Sequence, residues 1–225
     1  MKTLVWPCAA VDGPREEFAV AAGPEGSKRL LIVPALFEEA NRTRRLLVQT
    51  MRALAAHGIA SVLPDLPGCT ESLAPLEQQD LASWRAGVAA AAQHFGATHV
   101  LSLRGGAILA PPGLPGWRFE PLSGASALRH LVRARIVAAK EAGRPEKSDE
   151  LMAQGRKSGL ELAGYRLSAA MVRDLEGSVL PAPGAGVATF ALADLGGSAL
   201  WLRSEPGEDA EMADALAATI ARGMA

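Results

Sequence analysis

The segment Ser102-Leu103-Arg104-Gly105-Gly106 has the spacing of a nucleophile elbow, G-x-S-x-G. In such a turn small flanking residues let the backbone bend sharply out of a strand and present one side chain to a substrate. Arg104 stands where the nucleophilic serine would. A guanidinium stays protonated at ordinary pH and cannot attack a carbonyl, so acyl-enzyme chemistry has no nucleophile here. Ser102 is two residues early and falls inside the strand. The partner base would be a histidine late in the chain, yet the four histidines are His57, His94, His99 and His130. The first three read as helix-end or strand-start residues, with structural roles.

Arg104 can instead hold an anion. With the amides of Gly105 and Gly106 at a helix N-terminus it would form a nest in the place of an oxyanion hole. The plainer alternative is a buried ion pair with Glu38 or Glu39, and the two are compatible if a ligand carboxylate competes with the glutamates. Phe37, Asn41 and Arg44 share the loop of those glutamates, at the strand ends where open α/β sheets bind ligands. Glu205, beyond the last strand, and Trp201 near the end of that strand reach the same region, Trp201 as pocket lining, with a structural role the alternative for each. Cys69, in a Pro-Gly turn after Asp65, is either a displaced nucleophile or a partly buried turn residue. Neither a cofactor motif nor metal-ligand spacing is present, so neither group is expected.

These residues need a scaffold. Short β-branched runs alternate with helical periodicity, which predicts a mostly parallel sheet with helices on both faces. Strands are expected at 30–34, 60–64, 98–102, 117–121, 187–193 and 199–203. Leu46, Leu47, Met51 and Leu54 mark one helix, and Leu81, Trp84, Val88 and Phe95 a second. Right-handed crossovers are expected to place these two helices on one face, with the first three strands as parallel neighbours. Leu128, Leu131, Val132 and Ile136 mark a third helix, and Met212, Leu216 and Ile220 a closing one. The polar stretch 140–158 lies within a small helical cap insertion, approximately 124–180, of a single domain spanning 1–225.

Bulk properties narrow the partners. The 225 residues suffice for one core burying roughly 70 to 75% of the unfolded surface. With 23 Lys and Arg against 24 Asp and Glu, no overall field draws in nucleic acid or a lipid surface. No apolar run approaches the roughly 18 residues of a membrane span, and the N-terminal stretch is too short for a signal sequence. Two cysteines, Cys8 and Cys69, fit a reducing compartment, and a cytoplasmic protein is expected. A homodimer is an allowed assembly.

Longer blocks carry a resemblance. The run 34–45, the turn Asp65-Leu66-Pro67-Gly68-Cys69-Thr70-Glu71-Ser72, the elbow, Glu120-Pro121-Leu122-Ser123-Gly124 and Ala163-Gly164-Tyr165-Arg166-Leu167-Ser168 together resemble the type 2 hydrolase-like proteins associated with bacterial exosortase A systems. The resemblance covers nearly the whole chain and implies an α/β-hydrolase fold. It also implies that an arginine at the elbow is a family property, and that the setting is exopolysaccharide and envelope metabolism. Two function classes follow. One is a nonstandard hydrolase of ester, thioester or acyl groups, using Glu38, Glu39 or Cys69 with Arg104 as electrophilic support. The other is a pseudoenzyme that binds a small anionic or acyl-bearing molecule or a protein partner.

Overall fold

Residues 1–8, 15–26 and 28–225 are described by the computed structural model; the end of the N-terminal stretch, at positions 9 and 10, lies outside the described residues. The chain opens with two strands that sequence pattern did not reveal, β1 (Lys2–Cys8) and β2 (Arg15–Ala22), paired antiparallel. Then come β3 (Arg29–Val33), helix α1 (Glu38–Ala56), β4 (Ala60–Pro64), α2 (Leu81–His94), β5 (His99–Leu103) and β6 (Gly116–Phe119). An excursion follows, made of α3 (Gly124–Glu141), α4 (Ser148–Ser158), the hairpin β7 (Leu160–Leu162) and β8 (Tyr165–Leu167), and α5 (Ala169–Gly177). The chain closes with β9 (Val187–Phe190), a short α6 (Leu192–Leu195) and α7 (Ala210–Met224).

The main sheet runs β1-β2-β4-β3-β5-β6-β9, and the five strands from β4 to β9 are mutually parallel. Leu30, Leu31, Ile32 and Val33 are all fully buried because β3 is covered on both faces, which is why its sequence is a continuous apolar run. The expected parallel neighbours are present, with β3 between β4 and β5.

The expectation for the helices was wrong. The chain moves one way along the sheet from β3 to β4 and the other way from β4 to β5, so crossovers of one hand put α1 and α2 on opposite faces. The core divides accordingly. Leu46, Leu47, Met51 and Leu54 of α1 pack with Leu30, Ile32 and α7, whereas Trp84 and Val88 of α2 pack with Leu31, Val33 and α5.

Two strands also required correction. The expected strand at 199–203 is a 3-10 turn at Leu200–Leu202, in which the adjacent residues Leu200 and Trp201 are both buried, a pattern that period-2 alternation cannot satisfy. The expected strand at 187–193 stops at Phe190, where the Asp194 side chain accepts from the Ala191 amide and starts α6. Helix starts are set by local chemistry: Asp80 and Ser83 cap α2 reciprocally, and Ser123, Ser168 and Asp209 accept from the third amide of α3, α5 and α7. Among the described residues no helix is long and apolar enough to cross a membrane.

Candidate functional site

The site gathers at the carboxyl ends of β3, β5 and β6, where Phe37, Arg104 and Glu120 adopt positive φ of 57°, 52° and 47°. Non-glycine residues enter this region only when their surroundings hold them there, at a cost of about 1 to 3 kcal/mol each. Arg104 follows β5 directly and opens a 3-10 turn, Arg104–Ile108, in place of the α-helix expected after the elbow. The turn presses against the exit of β3. A Cβ on Gly106 would lie 2.2 Å from the Pro34 carbonyl oxygen. The Leu122 amide donates to the Arg104 carbonyl at 3.1 Å, tying the elbow to the segment after β6.

The guanidinium is enclosed on three sides. Its Nε and Nη2 donate to Oε2 and Oε1 of Glu39 at 3.1 and 3.0 Å, a two-pronged pair matched to the planar fork. Nη1 donates to the Glu120 carbonyl at 3.2 Å. The indole of Trp201 lies beneath, 4.7 Å from the guanidinium carbon to the ring centroid. The side chains of Arg104 and Glu39 are 8% and 16% exposed, so the pair is largely dry. Of the two glutamates expected as partners, the structure selects Glu39. Glu38 instead pairs with Arg42 at 3.0 Å, and Arg42 donates to the Trp201 carbonyl. The two acids sit one residue apart at the start of α1, so only one can face the elbow.

The other expected site residues separate. Phe37 is buried between the rings of Trp84 and Tyr165, at 5.5 and 5.4 Å, and lines the cleft beside the elbow. Gly105 and Trp201 line the same cleft. Asn41 donates weakly to the Tyr165 hydroxyl at 3.4 Å. Arg44 turns away to buried Asp65, 2.8 Å distant, and borders only a pocket of about 20 Å³ shared with Cys69. Burial, with Asp65 and Glu17 nearby, pushes the Cys69 thiol up to about 12, the reverse of what a nucleophile needs. Relative to a thiol at 9.0, Cys69 then carries about a thousandfold less thiolate at pH 8. Iodoacetamide at pH 8 is therefore expected to label Cys69 at least about a hundredfold more slowly in the native protein than in urea, with the rate still rising toward alkaline pH. Fast native labelling would restore Cys69 as a candidate nucleophile.

Between the start of α1, the elbow, α3 and the Trp201 turn lies a cleft of about 860 Å³. Its walls are apolar, from Leu36, Phe37, Leu131 and Val137, and charged groups sit at the rim. Sequence reasoning overlooked His130, which α3 carries to within 4.0 Å of Glu39 Oε1 while leaving its side chain 56% exposed to the cleft. Glu120 was overlooked too, although it follows β6 as Arg104 follows β5. A signal for His130 existed: Ala127, Leu131, Ala134 and Ala138 repeat at helical spacing beside it, a second stripe on α3. Among the described residues no cluster of His, Cys, Asp and Glu could hold a metal ion.

No protein-family model matches the chain, and no curated protein matches it. Among solved structures, it is similar to a provisionally assigned hydrolase from Agrobacterium vitis S4, with 12% identity, a TM-score of 0.57, and coverage of 84% of this chain and 89% of that one. It also matches an esterase from Exiguobacterium antarcticum, at 17% identity and a TM-score of 0.42 over 64% of this chain and 63% of that chain. A variant of an epoxide hydrolase from Vigna radiata matches at 16% identity and a TM-score of 0.45, over 72% of this chain and 57% of that one. The chain thus spans under two thirds of the esterase and the epoxide hydrolase. The Agrobacterium likeness shows the fold alone: a mostly parallel central sheet flanked by helices, the α/β-hydrolase fold.

Proposed function

We propose that this α/β-hydrolase-fold protein binds a small molecule with an apolar, acyl-like body and a polar head in the cleft between the elbow and α3, and does not cleave it. The observation that carries the reading is the two-pronged Arg104–Glu39 pair at the position of the nucleophile. It fills the place of a reactive hydroxyl with a group that can neither attack nor shed its charge. Leu131 and Val137 offer the apolar wall, and the acids, Arg42 and His130 offer polar contacts at the rim. In this reading 124–180 is a cap over the site within a single domain, and resemblance alone supports a setting in exopolysaccharide and envelope metabolism.

A second reading has its own observation. His130 Nδ1 and Glu39 Oε1 are 4.0 Å apart at the cleft wall. In a nonstandard hydrolase His130 would take the proton of an attacking water while Arg104 offset charge on the acyl oxygen. The two readings part in one experiment. The full chain is titrated with decanoate by calorimetry and assayed with p-nitrophenyl decanoate, and a serine-directed fluorophosphonate is applied. Saturable decanoate binding, weakened about tenfold or more by Ala134→Trp, without ester turnover or labelling, is the expected result. Turnover that disappears in His130→Gln would overturn the binding reading in favour of the hydrolase. Turnover abolished by labelling a single serine would overturn both.

A further inference from the structure

On the sheet face opposite α1, strand β6 carries a second buried arginine. Arg118 is 7% exposed, lies in the sheet interior between Ser102 of β5 and Thr189 of β9, and has no ion-pair partner among the described residues. Its Nη1 and Nη2 donate to the carbonyls of Pro181 and Ala182 at 2.6 and 3.4 Å, while its Nε is buried without an acceptor. Burial lowers its pKa from the usual arginine value. Carbonyl dipoles offset a positive charge only in part, and a buried guanidinium without an anion costs several kcal/mol. A group so placed is either an uncompensated defect or one half of a site.

The surroundings favour a site. The guanidinium lines a cavity of about 290 Å³ between the segment before β6 and the linker before β9, and this cavity shares no lining residue with the large cleft. Its other walls are mainly apolar, from Val100, Pro111, Leu114 and Val187, with Ser102 also among them. The volume is at the small end of ligand pockets. A guanidinium pairs with a carboxylate through two parallel bonds, and Arg118 is part of the cavity wall.

We propose that this cavity is a binding site for a small carboxylate with a short apolar tail, its carboxylate against the Arg118 guanidinium and its tail among the prolines and valines. The unneutralised charge of Arg118 selects an anion, its planar fork suits a carboxylate, and the apolar walls select the tail. The site stands apart from the acyl cleft and does not depend on how that cleft is read.

The test is a titration of the ¹⁵N-labelled full chain with butyrate, benzoate and inorganic phosphate, followed by backbone amide and arginine Nε–H resonances. The expected result is saturable shifts with butyrate and benzoate, centred on Ser102, Leu114 and Val187, with affinity about tenfold or more weaker in Arg118→Gln. Ala110→Phe, which fills the cavity and keeps the guanidinium, is expected to abolish the same shifts; it decides the matter if Arg118→Gln does not fold. No saturable shift in the wild type, unchanged affinity in Ala110→Phe, or phosphate bound as well as butyrate would overturn the proposal.

Discussion

Arg104→Ala is expected to lower the free energy of unfolding by about 3 to 5 kcal/mol, the cost of stranding one member of a largely buried ion pair. The loss falls on Glu39, whose carboxylate keeps, among the described residues, only the distant His130 nitrogen at 4.0 Å once both guanidinium bonds are gone. Trp201 and the Glu120 carbonyl lose their contacts in the same step. For a domain of this length each kcal/mol is worth about 2 to 4 °C in Tm, so the effect is large by either urea or thermal unfolding. The companion variant Arg104→Met with Glu39→Leu is expected to recover most of the loss, because well-packed apolar groups replace a buried pair at little cost. Should Arg104→Ala instead lose under about 1 kcal/mol while weakening decanoate binding, Arg104 would be a hydrated ligand anchor and the structural weight given to the pair would be misplaced.

Gly106→Ala is expected to cost about 3 kcal/mol or more and to disturb the elbow, while its neighbour Gly105→Ala costs about 1 kcal/mol. The difference is what each new methyl meets. At Gly106 it strikes backbone, with Pro34 O at 2.2 Å and Val33 O at 2.8 Å, and neither can move without displacing β3. At Gly105 it meets Leu36 Cγ at 2.9 Å, a side chain able to turn aside. Urea denaturation midpoints of the two variants check the order, and equal costs would mean that the turn does not rest on the β3 exit as described.

The parallel heart of the fold was legible because β3 and β4 are buried on both sides, so that Leu30–Val33 reads as an unbroken apolar run and β4 departs from one only at Ser61. The outer hairpin was not. β2 begins Arg-Glu-Glu, residues that strands disfavour, and Pro7 interrupts β1; β2 is held by pairing with β4 at the rim and β1 by pairing with β2, rather than by their own propensity. Strand order is a long-range property, which is why the faces taken by α1 and α2 could not be read from their own residues. At the site, Arg104 and a glutamate partner were legible from motif and charge. The choice of Glu39 depends on the rotation of α1. His130 was hidden because the alanine stripe beside it gives a faint apolar signal. Trp201 was foreseen at the pocket, although the strand assigned to it is a turn: Ala-Leu-Trp-Leu looks strand-like, and Leu202 at 72% exposure ends that alternation.

The left-handed backbone at Arg104 also separates the bend from the side chain that it carries. Gly106 against the β3 exit and the Leu122 amide on the Arg104 carbonyl hold the turn through main-chain contacts, which do not depend on the side chain at 104. The elbow is a socket whose shape outlasts its occupant. Exchanging that one side chain alters what the cleft is offered without rebuilding the bend, and His130 on α3 already stands near the acid that faces it. The frame of the bend is thus set by main-chain contacts, and the chemistry offered at its tip by the side chain at 104 together with its partner Glu39.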